Sequence, residues 1–319
     1  MRSIKSRLLL KGYKNKQSII TILLALVVMA GQAQQTMTVK DSITNEPIPF
    51  VSVYFGNDTG GYTDEKGAIA IPNEAEQIWL SHICYETKSI SKITADSQTI
   101  ILVPKSINLD EVAISARIPK RIKTTEVGSM KAKTQTKHKG ANGFEMALFI
   151  PYDSTWTETP YIHSILASLD YSTHYLVFTE IKNPIYATLR FDLRLPDAKT
   201  NAPKDESIIG GGIILPSSQK LGKDGISLIN PIPFPRTGVF VVVEWITTVQ
   251  VSESCNLIPS LNMSLDEKEN RTWNKKTFRG MDWMHEQNEP AYQNEEAQVF
   301  YKGRTPSAKL GLKISKKEI

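Results

Sequence analysis

The chain has only two cysteines in 319 residues, and this scarcity excludes several classes of protein. Cys84 and Cys255 lie far apart in sequence, so they cannot supply the disulfide framework of a small secreted scaffold or the four thiolates of a structural zinc site. An exported chain could oxidise them to a single disulfide, and the alternative is two separate buried thiols. The sequence leaves both open.

Histidine is also scarce, and the spacing of the five histidines excludes the common metal motifs. None begins a His-x-x-Glu or His-Glu-x-x-His sequence. His82 and Cys84 share one face of a predicted strand, but the sequence offers no further ligand beside them. The run Gly210–Gly212 lacks the Lys-Ser/Thr pair of a phosphate-binding loop, and Gly-x-Ser-x-Gly does not occur. We therefore expect no catalytic residue, no metal and no cofactor.

Acidic residues are absent before Ala33, whereas six basic residues lie there. An apolar run over Ile19–Ala30 follows them, and Gly31 and Ala33 place small side chains at the −3 and −1 positions of a cleavage site. This arrangement predicts a secretory signal peptide over residues 1–33. An uncleaved anchor is the alternative, but the run is shorter than the roughly 20 residues that span a bilayer. We expect an exported protein of the periplasm, the outer membrane or the cell surface.

Removal of the leader also removes the apparent excess of positive charge. Six of the 38 basic residues lie in the leader, which leaves 32 against 33 acidic residues and a net charge of about −1. This balance implies no nucleic-acid partner. No second apolar segment is long enough to cross a bilayer, so we expect the mature chain to be soluble or peripherally held, without a transmembrane segment.

Amphipathic helix patterns are missing from residues 37–116, where short apolar–polar alternations are separated by turn residues. In the stretch Phe50–Phe55, for example, Val51, Val53 and Phe55 share one face. About seven such strands follow one another. The pattern predicts an all-β fold that begins with a seven-stranded β-sandwich of the prealbumin or immunoglobulin type.

The next segment is rich in lysine and arginine and poor in large apolar residues, and Glu126 is its one acid. Such a composition cannot bury enough apolar surface to fold alone. Residues 117–141 are therefore predicted to be a basic interdomain linker. Peripheral contact with anionic lipid headgroups is an alternative role for this charge.

Strand patterns resume over residues 142–312. Within Leu189–Leu195, apolar residues alternate with Arg190, Asp192 and Arg194, which is typical of a half-buried strand. Val239–Val243 is a continuous apolar run, which favours a central strand. We predict a second all-β domain, a jelly-roll-like β-sandwich.

The stretch Gly56–Gly67 (GNDTGGYTDEKG) raises two functional alternatives to a plain turn. The Asp-Thr-Gly at Asp58–Gly60 matches the catalytic tripeptide of aspartic proteases, but no second copy occurs and no apolar strand leads directly into the Asp. The acids do not match an EF-hand, although a looser calcium site through Asp58 and Asp64 is possible. Asp64 and Gly67 fit the first and fourth positions of a type I turn. We predict a hairpin with Asp64 and Gly67 as structural turn residues.

Aromatic residues make up only 8% of the chain, and a group of them lies among charged residues near the C-terminus. Asn270–Gln293 contains Trp273, Phe278, Trp283 and Tyr292. Exposed rings beside polar groups can stack on sugar faces, so Trp273 and Trp283 are candidate ligand-binding residues. The alternative is that these rings cover the end of the hydrophobic core.

Four short motifs punctuate residues 37–116. They are Val39-Lys40-Asp41 followed by Pro47–Val53 (PIPFVSV), Gly61–Gly67 (GYTDEKG), Leu80–Glu86 (LSHICYE) and Leu109–Ile114 (LDEVAI). Together they resemble the carboxypeptidase-regulatory-like domain of Bacteroidetes envelope proteins. Val51 stands where the family pattern has Ala, and Cys84 stands where it has Gly. The remainder is more weakly similar to uncharacterised Bacteroidetes proteins that pair this domain with a second β-domain.

The resemblance implies a β-sandwich without a catalytic role of its own. We therefore expect a non-catalytic secreted or cell-envelope protein that serves binding or assembly, with an envelope protein or a glycan as its partner. The first alternative is a glycan-binding module acting through Trp273 and Trp283. A hydrolase with scattered catalytic carboxylates is the last.

Overall fold

The computed structural model describes residues 35–72, 75–91, 99–105, 123–172, 185–216, 219–246, 256–266, 268–280 and 282–315. The predicted signal peptide, the motif Leu109–Ile114 and Cys255 lie outside these residues. The described chain is all-β, as the alternation of its sequence predicted, and contains one short α-helix.

The strands up to Leu102 form one unit with its own apolar core, here called the N-terminal unit. Its described strands are β1 (Thr36–Asp41), β2 (Ser52–Gly56), β3 (Thr59–Tyr62), β4 (Ala68–Ala70), β5 (Gln77–His82), β6 (Tyr85–Ser91) and β7 (Thr99–Leu102). They form two sheets, with strand orders β4-β1-β7 and β3-β2-β5-β6. Alternate residues such as Val39, Val53 and Leu80 are fully buried in the shared core, because successive side chains of a strand point to opposite faces. The unit therefore has the character of a β-sandwich.

The remaining strands form the C-terminal unit. They are β8 (Thr125–Gly128), β9 (Thr136–Lys139), β10 (Phe144–Ile150), β11 (Tyr161–Ala167), β12 (Leu169–Asp170), β13 (Ile185–Tyr186), β14 (Thr188–Pro196), β15 (Pro203–Ser207), β16 (Ile213–Leu215), β17 (Ile226–Pro233), β18 (Val239–Ile246), β19 (Asn256–Leu257), β20 (Ser260–Ser264), β21 (Thr272–Lys276), β22 (Met284–His285), β23 (Ser307–Ala308) and β24 (Leu310–Ser315). Helix α1 spans Glu295–Phe300, and three 3-10 turns cover Thr277–Arg279, Glu286–Asn288 and Pro290–Tyr292.

Seven of these strands form the central sheet, in the order β15-β14-β18-β10-β21-β22, with β16 also paired to β14. A four-stranded sheet, β17-β11-β24-β8, supplies the other wall of the core. Met146, Phe191 and Val243 point inward from the central sheet, whereas Ile165 and Leu312 point inward from the smaller one. Val239–Val243 thus lies in a central strand, as its continuous apolar run predicted.

Two strands lie within the segment that the sequence predicted to be a linker. β8 pairs with β24, and β9 pairs with β20. A lysine-rich segment can form these strands because its backbone hydrogen bonds go to strands of the C-terminal unit, while the ring of His138 stacks on Phe144 at 4.4 Å. Residues 125–139 are thus partly strand. The remaining domain boundaries stay predictions.

Among the described residues, none of the helices has both the length and the apolar character that a membrane span requires.

Candidate functional site

The outer face of the central sheet, which points away from the core of the C-terminal unit, carries the densest group of ionisable residues. The strand register places Arg190 opposite Glu244 and Glu244 opposite Glu145, and Lys275 follows on β21. These four residues form one row across the sheet. Asp192, two residues farther along β14, lies in a second row, and Arg194 lies in a third. The register therefore places Arg190 beside Glu244, whereas Arg194 reaches Glu145 from the third row.

These side chains form a buried ionic network. Arg190 Nη1 donates to Glu244 Oε2 at 2.9 Å, and Arg194 Nε donates to Asp192 Oδ2 at 2.8 Å. Arg194 Nη1 also lies 3.0 Å from Glu145 Oε2 as an ion pair. All five side chains are at most 5% exposed. With the half-buried Lys275, the network holds three cations and three carboxylates, so its formal charge is neutral.

Hydroxyl groups complete the network at its edges. Ser207 Oγ donates to Asp192 Oδ1 at 2.5 Å, and Thr277 Oγ1 donates to Glu145 Oε1 at 3.1 Å. At the rim, Lys275 Nζ donates to the exposed Asp205 at 3.1 Å. Buried carboxylates are tolerated where such donors replace the lost water.

The pKa values in the network follow from this pairing. Burial by itself would raise the pKa of the Glu145 carboxyl, but the charges of Arg194 and Lys275, together with the Thr277 hydroxyl, hold that pKa below its ordinary value. Burial would lower the pKa of Arg194, but Glu145 and Asp192 raise it above its ordinary value. Glu145 is therefore ionised and Arg194 is charged at neutral pH.

The N-terminal unit reaches directly into this network. Tyr62 Oη, at the end of β3, donates to Glu244 Oε1 at 2.6 Å. Arg190 Nη2 donates to the carbonyl oxygen of Phe50 at 2.9 Å. Burial, and then the negative charge of Glu244, raises the pKa of Tyr62 well above its ordinary value, so its proton stays in place for the hydrogen bond. Glu244 and Arg190 thus bond each other and the N-terminal unit.

An aromatic contact beside the network joins the same two units. The Phe278 ring lies 5.1 Å from the Tyr62 ring in an edge-on arrangement, and Ile246 packs with both. A Cβ atom at Gly60 of the N-terminal unit, or at Gly143 of the C-terminal unit, would overlap the Phe278 ring. The ring therefore occupies a slot that the two glycines leave open.

The turn between β5 and β6 makes a third contact between the units. The Cys84 thiol is free and half-buried, and its Sγ lies 3.6 Å from the carbonyl oxygen of Gly210. The glycines at 210–212 all have positive φ, and a Cβ atom at Gly211 would overlap Cys84 Sγ. Burial, and then the charges of Arg190 and Lys105, lowers the pKa of His82 to about 3, so this histidine is neutral. The glycine run is a contact loop, and the question of a disulfide with Cys255 lies outside the described residues.

Trp273 and Trp283 lie on the outer face of the central sheet, beyond the ionic network. Both are half-buried and pack with Phe240 and Val242. The Trp273 ring meets Phe240 at 6.3 Å and His285 at 5.1 Å, in both cases edge-on. The guanidinium of Arg194 lies 5.7 Å from the centre of the Trp283 ring, and Lys275 Nζ lies 5.9 Å from it. The two indoles therefore cover the outer face of the sheet, and Trp283 also lies against Arg194 and Lys275 of the network.

Asp64 and Gly67 form a tight turn. Asp64 Oδ1 accepts from the backbone N–H groups of Lys66 and Ala68, each at 2.8 Å, and Gly67 has φ +69°. The predicted hairpin is wrong in its pairing, because β3 pairs with β2 and β4 pairs with β1. The turn instead carries the chain from one sheet of the N-terminal unit to the other.

The hairpin of this stretch lies earlier, between β2 and β3. Asn57 and Asp58 both have positive φ (50° and 57°), as a two-residue type I′ loop requires. Asp58 is exposed at its tip. In the described residues, no group of three or more His, Cys, Asp or Glu side chains is arranged to hold a metal ion.

Comparisons with protein-family models, with curated proteins and with solved structures each returned no match.

Sequence reasoning missed the ionic network, although it identified the strand that supplies half of it. Arg190, Asp192 and Arg194 were expected on a solvent-facing side, but each is at most 5% exposed. Arg190 contacts the N-terminal unit at Phe50, Asp192 contacts Ser207 of β15, and Arg194 lies against the Trp283 ring. The signal that could have revealed this burial is Glu145 and Glu244, two acids set within otherwise apolar strands.

Proposed function

We propose that the protein is a non-catalytic, exported protein of the cell envelope that serves binding or assembly. Its N-terminal unit would be a carboxypeptidase-regulatory-like β-sandwich of the prealbumin type, and its C-terminal unit a jelly-roll-like β-sandwich. The two units would present their remaining surface to a partner as a single body.

The contact between two of the family-like motifs supports the assignment of the N-terminal unit. Thr63, in the second motif, is fully buried, and its hydroxyl donates to the carbonyl oxygen of Ile48 at 2.9 Å. The Thr63 hydroxyl oxygen in turn accepts from the N–H of Val51, in the first motif, at 2.9 Å. Two motifs about twelve residues apart in sequence therefore form one structural element, which gives a physical reason for their joint occurrence.

One observation carries the proposed function: the buried ionic network bonds the two units together. The carboxylates of Glu145, Asp192 and Glu244 are buried and accept hydrogen bonds or ion pairs from within the protein. A carboxylate committed in this way is not available as a general acid or base to a substrate in solution. The network therefore favours a structural role over hydrolysis.

Cell fractionation with chemical crosslinking of the native protein tests this proposal. Export predicts a mature chain that begins at Gln34, which mass spectrometry of the purified protein would detect. Crosslinking should trap a discrete envelope partner. An unprocessed chain in the cytoplasmic fraction would contradict the assignment. Contact between the basic segment and lipid headgroups would appear as salt-sensitive release from membranes.

A further inference from the structure

The N-terminal unit has an aromatic pair, Trp79 and Tyr54, that lies partly outside both its core and its contact with the C-terminal unit. Trp79 lies on β5 with its side chain outward and is 36% exposed. It lies opposite Tyr54 of β2, and the two ring centres are 5.4 Å apart at an interplanar angle of 38°. Tyr54 is half-buried because its other side packs with Phe50 and Phe278. This pair therefore continues outward from the contact between the two units.

Small uncharged polar side chains surround the indole. Ser89 of β6 lies directly opposite Trp79, and Gln77 lies two residues earlier on the same face. Gln77 Nε2 donates to Ser89 Oγ at 2.9 Å, which holds the amide and the hydroxyl together at the edge of the indole. Ser81 is exposed on the other side of Trp79.

Lys88, a charged residue of β6, does not share this face. Lys88 lies opposite the buried Leu80, so it belongs to the inner side of the sheet, and its Nζ donates to the carbonyl oxygen of Ile101 on β7. Trp79 and the residues Tyr54, Gln77, Ser81 and Ser89 around it therefore present flat rings, an amide and hydroxyls, and these five side chains carry no formal charge. This neutral chemistry complements an uncharged ligand.

We propose that Trp79 and Tyr54, with Gln77, Ser81 and Ser89, form a docking platform for a neutral saccharide. The apolar face of a pyranose ring stacks on the indole, and the sugar hydroxyls exchange hydrogen bonds with the amide and the serines. A neutral glycan fits better than a protein partner because hydroxyl-rich ligands match hydroxyl and amide groups, and because the exposed apolar area is that of about one ring. The site goes beyond the proposed function and is separate from Trp273 and Trp283.

Affinity gel electrophoresis of the full chain tests the platform. The gels contain a neutral α-glucan, a neutral β-glucan, mannan or galactan, and acidic alginate serves as a comparison. Trp79→Ala should weaken binding to a retained neutral polysaccharide about tenfold or more. Trp79→Phe, which keeps an aromatic face, should restore part of it. Because Trp79 is at the surface, circular dichroism should show all variants folded.

Trp273→Ala and Trp283→Ala are the matched controls, and they should keep wild-type retardation on the neutral gels. Loss of binding in these two variants but not in Trp79→Ala would overturn the platform and favour the outer face of the central sheet. Absence of retardation on every neutral gel, or retardation on alginate alone, would also overturn it. Neither result affects the envelope assignment, which fractionation and crosslinking test separately.

Discussion

At the scale of single residues, Glu244 is the group on which the contact between the two units depends. Its two carboxylate oxygens accept from different partners, Arg190 of its own sheet and Tyr62 of the N-terminal unit. When a buried carboxylate oxygen loses its hydrogen-bond donor, the folded state is destabilised by the desolvation cost of that unpaired oxygen. Removing a single hydrogen-bonding group from one of these residues should therefore clearly lower the free energy of unfolding.

Tyr62→Phe removes one such donor without changing the packing of the ring. We expect the free energy of unfolding to fall by about 1–3 kcal/mol, because Glu244 Oε1 is left buried without its hydrogen bond. Urea denaturation of the whole chain measures this. Tyr54→Phe, which removes a hydroxyl from a half-exposed ring of the same sheet, is the control and should change little. Equal losses in both variants would contradict a special role for Tyr62.

A substitution at Gly60 tests whether the slot that holds the Phe278 ring is closely packed. Gly60→Ala places a methyl group against the Phe278 ring, which must move, and such overpacking costs about 1–3 kcal/mol. Gly222→Ala is the matched control, because a Cβ atom there meets no heavy atom within 4 Å and its φ is not positive. Thermal unfolding should show a lower midpoint for Gly60→Ala only. The same midpoint in both variants would rule out a closed slot.

The pKa of Glu145 predicts a pH-dependent contribution to stability. Its folded pKa lies below the ordinary value of 4.5, so the carboxylate stabilises the fold above the unfolded pKa, and this stabilisation is lost as pH falls through the folded pKa. The difference in unfolding free energy between wild type and Glu145→Gln should be about 3 kcal/mol near neutral pH and should narrow as the pH falls below the ordinary pKa of 4.5. A difference that stays constant with pH would contradict this.

At the scale of elements, the turn at Asp64–Gly67 directs the chain from one sheet to the other. Asp64→Ala removes the acceptor of two backbone N–H groups, so we expect a loss of about 1–2 kcal/mol in urea denaturation. Asp64→Asn keeps an acceptor oxygen and should retain most of the stability. If the two substitutions are equally harmful, the charge of Asp64 matters more than the turn geometry.

The elements also show what the sequence could and could not predict. The alternation of apolar and polar residues predicted β14, and the continuous apolar run predicted β18. Both predictions were possible because the residue types of a single strand indicate whether one or both of its faces are buried. The residue types of a strand do not determine which other strand it pairs with. β3 and β4 flank a turn suited to a hairpin, but β3 forms a hairpin with the preceding strand β2 and β4 pairs with β1. The strands β8 and β9 were not predicted because their partners, β24 and β20, lie far along the chain.

At the scale of the whole molecule, the candidate site was predicted least well. Trp273 and Trp283 were selected by residue type, and they do lie together on one face, but with half-buried rings. The ionic network was not foreseen, since its burial depends on one folded unit covering the sheet of another. The sequence does not identify Trp79 as a ligand-binding residue, because only its position on the exposed outward face of β5 distinguishes it from a core tryptophan.

We infer that the ionic network and the Phe278 slot make the two units one cooperative body. Hydrogen exchange with mass spectrometry across a urea series follows β5 in the N-terminal unit and β18 in the C-terminal unit separately. Both strands should lose protection at the same urea concentration in the wild type. In the double variant Tyr62→Phe, Gly60→Ala, β5 should lose protection first. Separate transitions already in the wild type, or coincident ones in the double variant, would contradict the claim.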